Sequence, residues 1–333
     1  MGLRIGIVGV TGAVGQEALR LLEQGTLAIA EIRLFASARS ADRSFSFRRE
    51  PVRVEEIRAE RLAGLDYVFF SAGGSVSREY APPAVEGGAV VIDNSSAYRM
   101  AAEVPLVVPE VNAKALSRHS GIIANPNCTA AILATAVWPL HQAAVIERIV
   151  VATYQAASGA GAKALAELDA QVRQYAGGEP IEKKVFPEQI AFNVFSHNTP
   201  IGESGFNDEE NKVAQEIRKI FGEPELGICA TCIRVPVFRA HSEAVVIETR
   251  RKLSAEEARE ILRHAPGVTL VDDRKANRFP TPLEAAGKRE VLVGRLREDP
   301  SHPRALALFV SGDQLLKGAA WNAVQILELL AAG

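Results

Sequence analysis

Cys128 lies in Asn125-Pro126-Asn127-Cys128-Thr129, directly ahead of an apolar run over residues 130–140. The spacing predicts that this cysteine opens a helix, with Asn127 as a candidate cap. A thiol at a helix N-terminus meets the positive end of the helix dipole, which favours the thiolate. A thiolate attacks carbonyl carbon and forms a covalent intermediate. The same context suits a small buried cysteine, the usual fate of a free thiol. Spacing alone does not decide between the two.

A thiolate nucleophile needs a proton partner. Of the six histidines, His241 stands apart. It closes the run Arg234-Val235-Pro236-Val237-Phe238-Arg239-Ala240-His241, between two strand-like stretches. A histidine beside two arginines in mostly apolar sequence suits an anionic substrate with a proton to move. The competing reading is a histidine satisfied at a strand end. The other five, His119, His141, His197, His264 and His302, sit on apparent helices or loops with nothing comparable nearby.

A third feature is Gly9-Val10-Thr11-Gly12-Ala13-Val14-Gly15, after the first strand-like run and opening the first helical one. Glycines there allow a tight turn and close approach of backbone N–H groups to a pyrophosphate at a helix N-terminus. A strand–helix turn without a ligand is the plain alternative. The position between strand and helix favours a dinucleotide. The end of the second strand reads Ala36-Ser37-Ala38-Arg39-Ser40, with no acid to take the ribose hydroxyls of NAD. Arg39 with the serines suits a 2′-phosphate, so the expected cofactor is NADP. No metal site is read: Cys229-Ala230-Thr231-Cys232 has no second pair and no spaced histidines. Within a strand its two thiols face opposite ways, and buried structural cysteine is the expectation for both.

These groups need elements to hold them. Through the first half, strand-like residues 3–9, 32–35, 67–70 and 89–92 alternate with helical patterns over 14–23 and 77–86. That alternation predicts a parallel sheet with helices on its faces. In the second half, residues 147–154, 228–237, 243–251, 290–296 and 305–311 suggest an antiparallel or mixed sheet. Helical patterns cover 162–175, 207–221, 254–265 and 315–332, and Ser254 with Glu257 forms a capping-box signature. Residues 176–206 and 272–289 read as long loops of functional or interfacial use. The expected fold class is therefore α/β: an N-terminal Rossmann-like dinucleotide-binding domain plus an α+β catalytic and dimerisation domain with a mixed sheet. The expected ranges are 1–127, completed by a C-terminal helix over 314–333, and 128–313.

Composition narrows the function classes. The chain has 333 residues, 38 Lys plus Arg against 40 Asp plus Glu, a net charge of −2, and 47% hydrophobic residues. That balance draws it to neither nucleic acid nor an anionic membrane. No run approaches the roughly 18 apolar residues of a membrane span. No secretory leader is read, and position 6 lacks the Ser or Thr of a myristoylation signal. Three cysteines suit a reducing compartment, so a cytoplasmic protein is expected.

Taken together, the motifs resemble those of the aspartate-β-semialdehyde dehydrogenase family along essentially the whole chain. The Gly9–Gly15 turn resembles its nucleotide loop, which implies Gly9, Thr11, Gly12, Ala13 and Val14 as cofactor contacts. Arg39-Ser40 looks like its NADP-phosphate contact. Asp93-Asn94-Ser95-Ser96-Ala97-Tyr98-Arg99-Met100 is similar to its substrate-phosphate segment, with Arg99 as ligand. Val104-Pro105-Leu106-Val107-Val108-Pro109-Glu110-Val111-Asn112 is similar to the signature leading to the nucleophile, and 125–129 matches the segment of the acyl-forming cysteine. The resemblance further implies that Gln155 positions the acyl group and that Ser158, Gly159 and Gln314 contact the cofactor. Glu209 would meet the substrate amino group, Lys212 the phosphate and Arg234 the α-carboxylate, while His241 would be the acid/base. Many relatives carry asparagine where Gln314 stands, and a larger residue such as arginine where Leu316 stands.

The implied reaction is reduction of L-4-aspartyl phosphate with NADPH to L-aspartate 4-semialdehyde and inorganic phosphate, in the biosynthesis of Lys, Thr, Met and Ile. A homodimer or homotetramer is implied. The rival readings are an N-acetyl-γ-glutamyl-phosphate reductase, with the same thiol chemistry, and a catalytically silent nucleotide-binding relative.

Overall fold

The computed structural model describes residues 2–332; Met1 and Gly333, at the outer ends of the expected domain ranges, lie outside the described residues. The chain forms two compact units, one of residues up to Asn127 with those from Ala319 onward, the other of Cys128–Gly318. Among the described residues no helix is long and apolar enough to cross a membrane.

The first unit is a parallel sheet with helices. Its elements are β1 (Leu3–Val8), α1 (Ala13–Gln24), β2 (Ile29–Ala36), β3 (Ser44–Phe47), β4 (Glu50–Glu56), β5 (Tyr67–Phe70), α2 (Gly74–Glu86), β6 (Val90–Asp93), α3 (Pro109–Asn112) and β7 (Ile122–Ala124). The strand order is β3-β4-β2-β1-β5-β6-β7. Every pairing is parallel except β3 with β4. The central strands are continuous apolar runs, with Ile5, Ile7, Phe35, Phe69 and Phe70 fully buried, because helices cover both faces of such a sheet. The β3–β4 hairpin is absent from the sequence reading. Its turn is Arg48-Arg49, both with left-handed φ (53° and 68°). A two-residue hairpin needs that geometry, but Asn-Gly is its usual signature, so nothing marked this turn. The C-terminal helix, Trp321–Ala332, joins this unit: Asn322 Nδ2 donates to Val107 O at 2.9 Å and to Asn125 Oδ1 at 2.7 Å.

The second unit contains α4 (Cys128–Ala144), β8 (Ile146–Gln155), α5 (Ala162–Gly177), β9 (Phe195–Ser196), α6 (Asp208–Phe221), β10 (Gly227–Arg234), β11 (His241–Thr249), α7 (Ala255–Arg263), β12 (Val268–Leu270), α8 (Pro282–Ala285), β13 (Val291–Glu298) and β14 (Ala305–Gly312). Its sheet runs β12-β13-β14-β11-β8-β10-β9. It is mixed: β10 with β8 and β12 with β13 are parallel, the rest antiparallel. Helix α4 is apolar on nearly all sides and buried, as a central helix must be. It packs on β8, β11, β13 and β14, while α6 lies on β10. The Ser254–Glu257 capping box forms, and Asn207–Glu210 makes a second one at the start of α6.

Much of the long 176–206 segment is tied down. The Glu167 carboxylate accepts the backbone N–H groups of Lys184, Val185 and Phe186, and Gln171 Oε1 accepts those of Ile190 and Ala191. Phe186, Ile190 and Ala191 pack beneath it on Ala157, Ala164 and Leu168. Residues 314–318 stay with the second unit, where Gln314 Oε1 accepts the Ala240 N–H at 2.8 Å.

One cysteine expectation is corrected. Cys232 is buried, and burial pushes its thiol up to about 12. Cys229 is exposed. Alternation does send the pair to opposite sides of β10, but only the side under α4 and α6 is covered. Cys229 and Thr231 emerge on the other side.

Candidate active site

The mixed sheet brings three polar side chains to one rung. Arg234, the last residue of β10, pairs with Gln155, the last of β8. Ser242 of β11 pairs with Tyr154, which sets His241 beside Gln155. All three are buried, at 3%, 1% and 1% exposure. Helix α4 lies over this rung and begins at Cys128, so the strand ends aim their side chains at a helix N-terminus.

Cys128 Sγ lies 3.5 Å from His241 Nε2. The Ala156 backbone N–H donates to His241 Nδ1 at 3.0 Å. A neutral imidazole carries one N–H, so this bond places it on Nε2, facing the sulfur. Burial holds the ring neutral, pushing its pKa well below the ordinary histidine value, and the Arg234 cation and His197 add to that.

Arg234 is pinned from two sides. Its Nη1 donates to Ala156 O at 2.8 Å, its Nη2 donates to His197 Nε2 at 2.7 Å, and the guanidinium lies 5.6 Å from the centre of the Phe186 ring. Arg234 Nε is buried and makes no hydrogen bond. Of the five N–H donors of a guanidinium, this side chain still has enough for a bidentate carboxylate. Gln155 Nε2 donates to Thr129 Oγ1 at 2.6 Å and to Glu209 Oε1 at 3.1 Å. Glu209 lies in the first turn of α6, and Lys212 follows three residues on, on the same helix face. The unit thus gathers a thiol, an imidazole, a buried cation with donors to spare and a carboxylate.

Residues expected at the cofactor are placed in two ways. In the second unit, both ends of the Gln314 amide are engaged, by the Ala240 N–H and by Ser158 Oγ. Gly159 packs against His241 and Arg234 of the same rung. Leu316 is fully buried in a π-helical turn, which accounts for an apolar residue there. In the first unit, Gly9 has φ 87°, and a Cβ there would lie 2.7 Å from Ser71 O. A Cβ on Gly15 would fall on the Gly9 carbonyl. Gly12 precedes α1 with no side-chain cap, and Ala13 and Val14 open a first turn without an acid. Thr11 O accepts from Gln16. Arg39 is exposed just after β2, next to Ser40. Arg99 is buried, its Nε donating to Asn125 O at 2.9 Å and its Nη2 to Asn94 O at 2.8 Å.

Sequence reasoning passed over His197, Thr199, Thr129 and Gly318. His197 follows a two-residue strand in a loop-like segment, where no periodicity marks it. Gly318 leaves room for Cys128, whose Cβ would lie 2.8 Å from a Cβ there; the only hint was its place in the motif after Gly312.

Residues 4–119 match the family described as semialdehyde dehydrogenase, NAD binding domain, and residues 137–317 that described as semialdehyde dehydrogenase, dimerisation domain. The chain is 50% identical to an aspartate-semialdehyde dehydrogenase of Synechocystis over 328 residues, covering 98% of this chain and 97% of that one. It is 47% identical to one from Prochlorococcus marinus, covering 98% and 96%. The crystal structure of aspartate semialdehyde dehydrogenase II of Vibrio cholerae complexed with ASA superposes with a TM-score of 0.97 at 41% identity, over 100% of this chain and 99% of that one.

Proposed function

The chain belongs to the aspartate-semialdehyde dehydrogenase family, and from that premise we propose that it makes L-aspartate 4-semialdehyde through a thioester on Cys128. The observation that carries this reading is the 3.5 Å approach of Cys128 Sγ to His241 Nε2 beside the buried Arg234.

Arg234 takes the α-carboxylate of L-4-aspartyl phosphate, and Glu209 its ammonium group. Lys212 and Arg99 take the phosphate as cations. The Cys128 thiolate attacks the acyl carbon, the C–O bond to phosphate breaks, and inorganic phosphate leaves. Gln155 orients the acyl group. A bound nicotinamide cofactor supplies the hydride that reduces the thioester. The oxyanion on the resulting thiohemiacetal takes the N–H of His241. It collapses to the aldehyde as the C–S bond breaks, returning the thiolate. The thiolate is consumed and returned without a proton from His241; the one proton taken up, on the departing phosphate, comes from solvent water. The bond from the Ala156 N–H to Nδ1 therefore favours His241 as a hydrogen-bond donor over a ring that gives up its proton.

The glycine turn fits a dinucleotide: Gly9 leaves no room for a Cβ, and the uncapped N-terminus of α1 suits a pyrophosphate. Gly9, Thr11, Gly12, Ala13 and Val14 would hold it there, and Arg39 with Ser40 a 2′-phosphate, which supports NADP over NAD. Ser158, Gly159 and Gln314 would serve the nicotinamide end. The first unit then acts as the nucleotide-binding domain and the second as the catalytic one. A second copy of the chain is placed on the uncovered face of the mixed sheet, where Tyr154 and Thr231 are exposed and Phe309 half-buried. The protein works in the cytoplasm.

The test is reduction of NADP by L-aspartate semialdehyde, with and without phosphate, beside NAD and beside N-acetyl-glutamate semialdehyde. Phosphate-dependent NADP reduction with the aspartate aldehyde alone is expected. Equal rates with the glutamyl aldehyde, or no phosphate dependence, overturn the reading.

A further inference from the structure

His197 stands where the two ends of an amino acid would be recognised. Strand β9 pairs Phe195 with Arg234 and Ser196 with Ile233, and the His197 N–H continues the ladder to Cys232 O at 2.8 Å. The imidazole therefore meets the last residue of β10 from the edge of the sheet. Its Nε2 accepts from Arg234 Nη2 at 2.7 Å, so the ring proton sits on Nδ1, 3.3 Å from Thr199 Oγ1. Thr199 Oγ1 also accepts the backbone N–H of Glu209 at 3.2 Å. A continuous chain thus runs Arg234–His197–Thr199–Glu209.

We propose that His197, through Thr199, is a positioning residue that locks the carboxylate-binding guanidinium of Arg234 to the ammonium-binding turn of Glu209, and so selects an α-amino acid over a plain aldehyde acid. This rests on the function proposed above.

The physical case is one of orientation. A buried guanidinium with a single carbonyl contact can still swing about it. Ala156 O and His197 Nε2 together hold both Nη atoms, leaving Nε and the remaining N–H bonds available to a substrate carboxylate. Only a neutral imidazole can accept from a cation. Burial, with Arg234 and Lys212 acting against Glu209, holds the His197 pKa at about 4, so the acceptor persists at neutral pH. A substrate lacking the α-amino group loses its ion pair with Glu209, and a slack link lets the site tolerate that loss.

The experiment is steady-state kinetics on the full-length enzyme with L-aspartate semialdehyde and with succinate semialdehyde, its analogue without the amino group. His197→Leu is expected to raise KM for aspartate semialdehyde about ten- to a hundredfold, the worth of one hydrogen bond to a charged group. It should leave kcat within about threefold, leave KM for phosphate and NADP unchanged, and narrow the preference over the analogue. His197→Gln, which restores an acceptor, should recover most of that loss. Thr199→Val cuts the same chain elsewhere and should raise KM in the same direction, which covers a His197→Leu protein that does not fold. Unchanged KM in His197→Leu or Thr199→Val, or no difference between the Gln and Leu variants, overturns this inference alone. Absence of turnover in the unaltered enzyme fells the proposed function and this inference with it.

Discussion

Gly159 presses against the His241 ring. A Cβ placed on Gly159 would lie 3.1 Å from His241 Cε1, 3.2 Å from its Nε2 and 3.2 Å from Arg234 Nη1. Neither neighbour yields freely, since the Ala156 N–H holds the imidazole and Ala156 O the guanidinium. Gly159→Ala is therefore expected to displace the Nε2–H by a few tenths of an ångström. A 1 Å misplacement costs about a hundredfold, so this smaller one should lower kcat/KM by up to about tenfold, with a melting temperature within a few degrees of the parent. Kinetics beside a thermal melt check this. Normal kcat/KM would mean that the ring has slack which the packing does not suggest.

The three thiols should separate chemically. Cys232 is buried with its thiol at about 12, so it resists alkylation at neutral pH. Cys229 is exposed and reacts at an ordinary rate. Cys128, half-buried beside His241, should react faster than Cys229 and lose that advantage when substrate is bound. In a Cys229→Ser background, mass spectrometry should find one labelled site and activity should fall in step with labelling. Cys128→Ser should cost at least about a thousandfold in kcat, by loss of the covalent nucleophile, and leave cofactor binding intact. Substantial turnover in that variant would remove the thioester route.

His241 should contribute no acid limb to the pH profile. Burial, then Arg234 and His197, keep its pKa well below 6.5, so the ring stays neutral at neutral pH. Nitrogen NMR at pH 6 should show a neutral ring with its proton on Nε2. His241→Gln, which keeps an N–H donor, should retain more activity than His241→Ala. A limb near pH 6.5 that disappears in His241→Gln would show that the ring titrates during turnover.

Glu243 lies two residues beyond His241 on β11, opposite Thr153, with both carboxyl oxygens buried and unbonded. Burial raises its pKa well above the usual carboxylate range. The folded state therefore binds this proton more tightly than the unfolded chain, and the stability it contributes is lost as pH climbs from the unfolded value toward the folded one. Glu243→Gln removes that dependence. Its effect on stability should be more favourable at pH 8 than at pH 5. Urea unfolding at both pH values and fixed protein concentration measures it. Equal effects would mean that Glu243 ionises inside the fold.

Several features were readable in the chain because short-range rules govern them. A glycine turn between an apolar strand and an amphipathic helix is a local pattern, as is a cysteine ahead of an apolar helix, and both formed as elements. The β3–β4 hairpin escaped because Arg48 and Arg49 take left-handed φ without the residues that advertise it. The exposure of Cys229 escaped because alternation gives two faces and does not say which one is covered.

By itself the sequence determined the family, the order of the longer strands and helices, and the chemical types available: a thiol, imidazoles, guanidiniums and carboxylates. Only the tertiary structure decided which of them meet. His241 lies 113 residues from Cys128, His197 37 from Arg234, and Glu209 54 from Gln155. The register of β8, β10 and β11 sets those encounters. The protonation states follow from the same source: a helix laid over the rung excludes water, and exclusion of water, which no spacing along the chain encodes, keeps His241 and Glu243 uncharged.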